Sequence, residues 1–385
     1  MSPPDSAYAV RGGPDTLWAR GGPLLTTLDV ELTERCDNRC VHCCINLPRQ
    51  DRRARARELT TARLLAVLEE AAGLGALAVR FTGGEPLLRP DFAEIYVHAR
   101  ELGMRVVLFT NARGITEATA SLLADIPPRE PVEVTVYGMR RESYEAVTRA
   151  PGSYAQFRRG VDLLRAHAVP LVVKGTLLPE TLAELDEFER WAAAISADGG
   201  QAGYVHYLDL RHRRDSPAAD RRIATLRLTP EASLGVLARE GHLAAKLRAD
   251  WLPQVAAPTD LLFTCGIGHR PCLDAYGVLQ PCLSLRHPGA TYDLAAGSLR
   301  DALGTVFPRL RSLRATGPDY LRRCARCFLA GVCEQCPAKS WAEHGTLDTP
   351  VDYLCEVTQA KARVIGWLAP GELPWEVVDW KERIA

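Results

Sequence analysis

The strongest constraint on the fold is an alternation of short apolar runs and segments of helical length between Leu25 and Leu210. The apolar runs are rich in Val, Leu and Thr, which is typical of buried parallel strands. Repeated βα units join parallel strands through right-handed crossovers. Six units predict an α/β fold, an open and partial (β/α)6 TIM-type barrel rather than a closed barrel of eight strands. The predicted strands are 25–32, 77–82, 105–110, 131–137, 171–177 and 204–210, and the predicted helices are 60–74, 90–102, 116–124, 153–167 and 181–194.

The chain changes character after about residue 250, where cysteines, glycines and turns replace the alternation. We therefore expect an N-terminal extension at 1–24, the barrel at 25–250, a small cysteine-rich α+β domain at 251–366 and a C-terminal tail at 367–385. Thr229 is expected to cap a helix that runs through Leu247, and the charged stretch 211–222 is interpreted as a solvated connector. In parallel sheets, reactive groups belong on the loops that follow the strands.

Charge excludes two classes of function. The 47 basic residues equal the 47 acidic ones, so the chain lacks the basic excess of a nucleic-acid binder or of a protein of anionic membranes. No apolar run is long enough to span a bilayer. Residues 1–20 also show no secretory signal, so we expect a cytoplasmic protein with no nucleic-acid or membrane partner.

The twelve cysteines are unusual for such a protein. A reducing compartment disfavours disulfides, which makes metal ligation the first hypothesis. Four cysteines lie between residues 36 and 44, eight lie between 265 and 355, and the residues between these groups contain none.

The first group contains Cys36, Cys40 and Cys43, directly after the first predicted strand. An ordinary four-iron cluster and a structural zinc site each need four protein ligands. Three thiolates on a [4Fe–4S] cluster leave one iron open to a substrate. A zinc site completed by a distant fourth ligand is the alternative. Cys44 is interpreted as a spare small residue, because a fourth ligand would close the open iron.

The second motif is Gly83-Gly84-Glu85-Pro86, at the end of the second strand. Paired glycines allow close backbone approach, and Glu85 offers an acceptor to an ammonium group. Together with the C-x3-C-x2-C spacing, in which His42 takes the usual aromatic place, the chain resembles the radical S-adenosylmethionine (SAM) superfamily. The resemblance implies that this four-residue motif holds the amino group of SAM, and that polar residues at later strand ends, Asn111 and Thr135 among them, contact the cofactor. Arg149 is interpreted as a surface arginine at a helix end.

The later cysteines resemble the SPASM extension that follows many radical SAM barrels, with one departure, x2 instead of x3 between Cys333 and Cys336. Eight thiolates match two closed [4Fe–4S] clusters. The resemblance assigns the first cluster to Cys265, Cys272, Cys282 and Cys336, and the second to Cys324, Cys327, Cys333 and Cys355. If Cys272 is not a ligand, the first auxiliary cluster keeps an open iron. Two four-cysteine zinc sites are the alternative from spacing alone.

The resemblance implies three [4Fe–4S] clusters, SAM as cofactor, a reductase, flavodoxin or ferredoxin as electron donor, and a radical SAM oxidoreductase or maturase. The leading hypothesis is the modification of a ribosomally made peptide or protein by oxidation, crosslinking or epimerisation, with a separate peptide-recognition protein as a further partner. The alternative is radical oxidation or rearrangement of a small metabolite in antibiotic or cofactor biosynthesis. A structural zinc or electron-transfer protein is a third class. Asp209, Tyr207 and His206 are candidate catalytic residues by strand position only.

Overall fold

The structure is a computed structural model that describes residues 25–197 and 203–384. The predicted N-terminal extension at 1–24 lies outside these residues. Six parallel strands follow the predicted order, with helices between them, and each of the six pairs with the next one along the chain. The prediction of an open α/β barrel is confirmed.

The element bounds are close to those predicted in the first half of the chain. The strands are β1 Thr27–Thr33, β2 Arg35–Cys36, β3 Leu47–Pro48, β4 Ala78–Gly83, β5 Arg105–Thr110, β6 Val132–Val136, β7 Leu171–Thr176, β8 Gly203–Val205, β9 Cys272–Leu273, β10 Val278–Gln280 and β11 Tyr292–Asp293. The helices of the barrel and the segment after it are α1 Arg52–Arg57, α2 Thr61–Gly73, α3 Phe92–Glu101, α4 Glu117–Asp125, α5 Arg141–Thr148, α6 Ser153–Ala166, α7 Leu185–Ile195, α8 Pro217–Leu226, α9 Pro230–Leu237 and α10 Leu243–Trp251.

The remaining helices are short, apart from one that follows Cys336 and one that contains Cys355. They are α11 Leu299–Asp301, α12 Phe307–Arg311, α13 Pro318–Arg322, α14 Pro337–His344, α15 Asp352–Val364 and α16 Trp380–Ile384. A π-helical turn at Ala302–Val306 joins α11 to α12. No helix of the described residues is long and apolar enough to cross a membrane.

Two predicted elements differ from the structure. The sixth strand ends at Val205 rather than Leu210, because its partner β7 ends at Thr176, which pairs with Val205. The predicted helix from Thr229 to Leu247 is two helices, because Gly241 and His242 both take left-handed backbone angles, with φ of 70° and 54°. The short helix α5 was not predicted, since only three of its residues are buried.

The sheet does not stop at the barrel. Strand β9 pairs in parallel with the outer side of β1, β10 pairs antiparallel with β9, and β11 pairs antiparallel with β10, so that one sheet of nine strands runs from β11 to β8. The apolar core likewise runs from Leu25 through the barrel to Ala338. The cysteine-rich region is therefore attached to the barrel by main-chain hydrogen bonds and by a shared core.

A buried ion-pair network reinforces this attachment. Arg286, which follows the β9–β10 hairpin, contacts Glu31 at 2.7 Å and Glu34 at 2.6 Å. Glu34 also accepts a hydrogen bond from the Tyr276 hydroxyl at 2.8 Å. Glu31 is 0% exposed, and burial raises its pKa against the opposing effect of Arg286. A buried carboxylate depends on such a partner.

Candidate functional site

The loop after β1 carries the first three cysteines. Its two ends are joined by β2 and β3, with Arg35 paired to Leu47, and the Leu47 amide donates to the Glu34 carbonyl at 2.7 Å. Inside the loop, the Cys43 amide donates to the Cys40 carbonyl at 3.1 Å. This closed loop places Cys36, Cys40 and Cys43 on one wall of a cavity of about 220 Å³.

The opposite wall of this cavity is formed by the carboxyl ends of three neighbouring strands. Thr82 and Gly83 end β4, Thr110 ends β5 and Thr135 lies on β6. We call this space the cysteine-loop cavity. Its lining residues are Cys36, Cys40, His42, Cys43, Cys44, Ile45, Asn46, Thr82, Gly83, Gly84, Phe109, Thr110, Asn111, Thr135 and Tyr137.

Four of the six predicted cofactor contacts, Gly83, Gly84, Asn111 and Thr135, thus line the cavity, and Glu85 and Pro86 do not. The Glu85 carboxylate accepts hydrogen bonds from the Thr110 hydroxyl and the Asn111 amide, both at 2.8 Å. Glu85 is 1% exposed, and burial raises its pKa to about 7. Its carboxylate holds the end of β4 to the end of β5, and its contact with an ammonium group stays a prediction.

The two glycines are needed for backbone approach, and the group they approach is the chain itself. A Cβ atom at Gly83 would lie 2.2 Å from the Thr33 carbonyl oxygen, and one at Gly84 would lie 2.2 Å from that of Arg35. The Gly84 amide donates to the Thr33 carbonyl at 2.7 Å. The motif therefore fixes the cysteine loop against β4, and this fixes the distance between the thiols and the opposite wall.

The charged stretch at 211–222 is not a solvated connector. Arg211 is 8% exposed and donates to the Cys43 carbonyl at 3.1 Å. Arg213 donates to the carbonyls of Ile45 and Asn46 and pairs with Glu34 at 2.9 Å. Sequence reasoning missed this clamp on the cysteine loop. The sequence shows arginines after the last strand, and only the fold shows which carbonyls they reach.

The three candidate catalytic residues do not converge, and none lines the cysteine-loop cavity. His206 and Tyr207 belong to a row of aromatic rings that continues to Tyr353. Asp209 lies 3.5 Å from His212 through its carboxylate. Burial acts to raise the pKa of Asp209, but the hydrogen bond with His212 and the charge of Lys339 hold it below the usual value.

The last four predicted ligands are brought together. Cys324, Cys327, Cys333 and Cys355 line one cavity of about 60 Å³. Two of these sulfurs accept hydrogen bonds, Cys333 from the Gln335 amide at 3.3 Å and Cys355 from the Gln359 side chain at 3.2 Å. Hydrogen bonds to cysteine sulfur are one of the features that set the reduction potential of an iron–sulfur cluster. This set is the quartet cavity below.

The other predicted set is gathered only in part. Cys265, Cys282 and Cys336 line a cavity of about 210 Å³, the trio cavity, and Cys272 is not among its lining residues. Cys272 lies on β9, is 0% exposed and directs its sulfur to the Leu273 carbonyl at 3.8 Å. Burial and the nearby carboxylates of Glu31 and Asp29 raise the pKa of this thiol. The structure thus separates Cys272 from the other three.

The donor sets also bear on the kind of metal group they would hold. Within the described residues, no three side chains of His, Cys, Asp or Glu are placed to hold a single metal ion. A zinc ion needs four ligands at about 2.0 to 2.3 Å. Thiols around cavities of about 60 to 220 Å³ match a larger group instead.

Comparison with known proteins agrees with this geometry. Residues 30–192 match the radical SAM superfamily. The chain carries a radical SAM domain. The matched residues include the cysteine loop and all fifteen residues that line its cavity, consistent with the predicted resemblance.

Two curated relatives match about half of the chain. A PqqA peptide cyclase of Gluconobacter oxydans is 30% identical over 181 residues, which is 47% of this chain and 49% of that protein. An AdoMet-dependent heme synthase of Methanosarcina barkeri is 30% identical over 202 residues, which is 50% of this chain and 55% of that protein. The chain thus spans about half the length of the curated relatives it matches.

A solved structure is similar over most of the chain. The protein anSMEcpe with bound AdoMet superposes with a TM-score of 0.62 and 13% identity, over 88% of this chain and 96% of that one. Another structure of anSMEcpe holds AdoMet and a Cp18Cys peptide. At this identity the likeness concerns the fold, and it includes the region after the barrel.

Proposed function

We propose that this chain is a radical SAM enzyme that modifies a ribosomally made peptide or protein. The observation that carries the proposal is the cysteine-loop cavity, where the thiols of Cys36, Cys40 and Cys43 face the carboxyl ends of three parallel strands. Cys44 also lines this cavity, but its sulfur is hydrogen-bonded with His212, which leaves three thiols for the proposed cluster. Three thiols are one fewer than a closed four-iron cluster needs. The proposed domains are the radical SAM barrel at 25–250 and an auxiliary-cluster domain of the SPASM type at 251–366.

In this proposal, Cys36, Cys40 and Cys43 hold a [4Fe–4S] cluster, and Gly83, Gly84, Asn111 and Thr135 contact SAM. When bound, the cluster and SAM supply a 5′-deoxyadenosyl radical, which takes a hydrogen atom from the substrate. The protein residues supply position and exclusion of water. Glu85 holds two strand ends in register, while Arg211 and Arg213 hold the carbonyls of the cysteine loop.

The C-terminal cysteines support two auxiliary clusters. Cys324, Cys327, Cys333 and Cys355 would hold a closed one. Cys265, Cys282 and Cys336 would hold another with one iron free of a cysteine ligand, because Cys272 does not line their cavity and its sulfur contacts the Leu273 carbonyl. Such clusters can accept the second electron when a substrate radical is oxidised. Asp209, Tyr207 and His206 remain the candidate catalytic residues by strand position, and, against the opposing effect of burial, His212 and Lys339 lower the pKa of Asp209 and so favour its ionised carboxylate.

The peptide substrate is supported by the names of two similar proteins. One relative is a PqqA peptide cyclase, and anSMEcpe has a structure with a bound peptide. The alternative, a small metabolite, is favoured by the heme synthase, which has the same identity to this chain. The twelve cysteines favour a reducing, cytoplasmic setting, and an electron carrier of the flavodoxin or ferredoxin kind would reduce the enzyme.

The test is 5′-deoxyadenosine formation by reduced, anaerobic holoenzyme with SAM and host extract fractions above and below roughly 1 kDa. We expect stimulation by the larger fraction, together with a mass change in one peptide of that fraction. Stimulation by the smaller fraction alone would replace the peptide with a metabolite. Metal analysis tests the class itself, since three clusters give roughly 12 iron atoms per chain. Stoichiometric zinc with little iron would refute it.

A further inference from the structure

A second cavity lies behind the cysteine loop. Its volume is about 220 Å³, and it is lined by Arg39, Arg149, Arg211 and Arg222. We call it the arginine recess. Its wall also includes Cys40 and Cys43, which line the cysteine-loop cavity as well. The two cavities are thus separated by the cysteine loop alone.

Three of the four arginines carry charge that the chain does not neutralise. Arg39, Arg149 and Arg222 are exposed, and none of them has an ion pair within residues 25–197 and 203–384. Arg211 differs, since its guanidinium pairs with Asp215 at 2.6 Å. The carboxylates nearby are engaged elsewhere, with Asp220 accepting from the Arg211 amide and Glu145 from the Gly152 amide.

The positive surface extends beyond the recess. Pro48, which lines it, leads into α1, and the arginines of this helix at 52, 53, 55 and 57 are exposed. The chain as a whole has no net charge, so this face is a local excess rather than part of a basic protein. Uncompensated surface charge of one sign increases the association rate of a partner of the opposite sign.

The proposed chemistry needs an electron from outside the chain in order to start. Cys40 and Cys43 line the arginine recess, so a partner bound in the recess would contact the cysteine loop that holds the proposed cluster. The cysteine-loop cavity on the other side is lined by the strand ends, and it is the proposed position of SAM.

We propose that the arginine recess is the docking surface for an acidic, low-potential electron-carrier protein. This inference rests on the proposed function, because it assigns a partner to the proposed cluster. One electron leaves the carrier and enters the cluster; the carrier is oxidised, the cluster is reduced, and no covalent bond is made or broken. Arg39, Arg149 and Arg222 attract the carrier, while Arg211 also holds the loop at Cys43.

The test compares two reductants of opposite charge on the anaerobic holoenzyme. One is a reduced acidic flavodoxin, and the other is the reduced methyl viologen cation. Cluster reduction is followed by loss of visible absorbance and by electron paramagnetic resonance, without substrate. In the variant Arg39→Glu/Arg222→Glu, we expect reduction by flavodoxin to slow about tenfold or more at low salt, while reduction by methyl viologen is not slowed. The difference should shrink near 1 M salt, where the Debye length is about 3 Å.

The matched control is Arg165→Glu. Arg165 is an exposed arginine in the last turn of α6, and this turn lies at the end of the sheet away from the cysteine loop. It adds the same charge per substitution and should leave both rates unchanged. Because Arg39 also donates to the Arg149 carbonyl, the single variant Arg222→Glu is tested in parallel, and its expected effect is smaller but in the same direction.

Three outcomes would overturn the docking proposal. Equal slowing with both reductants would mean damage to the loop, and equal slowing by Arg165→Glu would mean a general charge effect. Normal reduction by flavodoxin together with lost binding of the peptide substrate would assign the recess to the peptide. Failure of the proposed function gives a different result, since a chain without the iron cluster or without SAM cleavage under methyl viologen fails before any carrier is added.

Discussion

The cysteine-loop cavity and the quartet cavity use the same donor atom in different ways. The loop offers the thiols of Cys36, Cys40 and Cys43, since Cys44 is hydrogen-bonded with His212, and the opposite wall is formed by strand ends such as Gly84, Asn111 and Thr135. The quartet offers four thiols, and its wall comes from the segment 259–264 and from short helices and turns between residues 320 and 375. The comparison suggests how a cluster site can accept a second ligand such as SAM: three thiols instead of four hold the cluster, and a polar sheet edge lies opposite them. Four sulfurs leave no such place.

The trio cavity lies between these two cases. It has three thiols, as the cysteine loop has, but its other lining residues are largely apolar, including Phe263, Ile267 and Leu285. A free iron there would face a surface without the row of strand-end hydroxyl and amide groups. The trio cavity therefore shares its thiol number with the cysteine loop and differs from it in the polarity of the opposite wall.

The largest expected effect on SAM cleavage comes from a substitution in the cysteine loop. Cys40→Ala should abolish SAM cleavage, because the remaining two thiols cannot hold the proposed cluster in the cavity. We expect 5′-deoxyadenosine formation to fall by at least about a thousandfold, since the uncatalysed reaction is negligible. Iron content should fall by about 4 of roughly 12 atoms per chain, with the auxiliary sites retained. Retained SAM cleavage would contradict the role of the loop.

The same substitution in the quartet should separate SAM cleavage from product formation. Cys324→Ala removes one of four sulfurs from the quartet cavity, so iron should again fall by about 4 atoms per chain. The loop is not altered, so 5′-deoxyadenosine should still form, while modified product is lost. Loss of SAM cleavage to the same extent as in Cys40→Ala would show that the two sites are not independent.

The contact between the barrel and the cysteine-rich region can be weakened without changing a cysteine, by removing the ion pairs of Arg286. Arg286→Leu leaves Glu31 buried and without its partner, which should lower the free energy of unfolding by about 3–5 kcal/mol. The measurement is anaerobic calorimetry of the holoenzyme. The control Arg239→Leu removes pairs with Asp186 and Glu189 at the surface and should cost at most about 1 kcal/mol. Equal losses in the two variants would refute the importance of this buried joint.

The smallest effect is expected at the cysteine that the trio cavity excludes. Cys272→Ala should leave the iron content unchanged, because its sulfur contacts the Leu273 carbonyl instead of the cavity. Cys282→Ala is the matched variant and should lose about 4 iron atoms per chain. If both variants lose iron equally, Cys272 is a ligand and moves into the cavity when the cluster is bound.

Much of the fold could be predicted from the sequence, because buried parallel strands are encoded as short apolar runs that alternate with segments of helical length. Strand β5 was predicted at its observed bounds, and Cys36, Cys40 and Cys43 were recognised by spacing. The contacts that depend on tertiary structure could not be predicted. Glu85 holds strand ends, Arg211 and Arg213 hold the loop, and Cys272 lies in a strand that pairs with β1. In each case the contact partner is distant along the chain, so the spacing of residues within a motif does not indicate the contact.

The position of β1 in the middle of the sheet has a consequence for how the protein is made. Asp29 lies opposite Cys272 in the sheet, and Glu31 and Glu34 form ion pairs with Arg286. The contacts of the first strand are therefore complete only after residues much later in the chain have been synthesised. Contacts so far apart in sequence form late in folding. The cysteine loop, which is clamped by Arg211 and Arg213, therefore leaves the ribosome long before its surroundings are complete. Insertion of iron and sulfur into the finished loop has to follow the synthesis of most of the chain, and the three thiols must stay reduced during that interval.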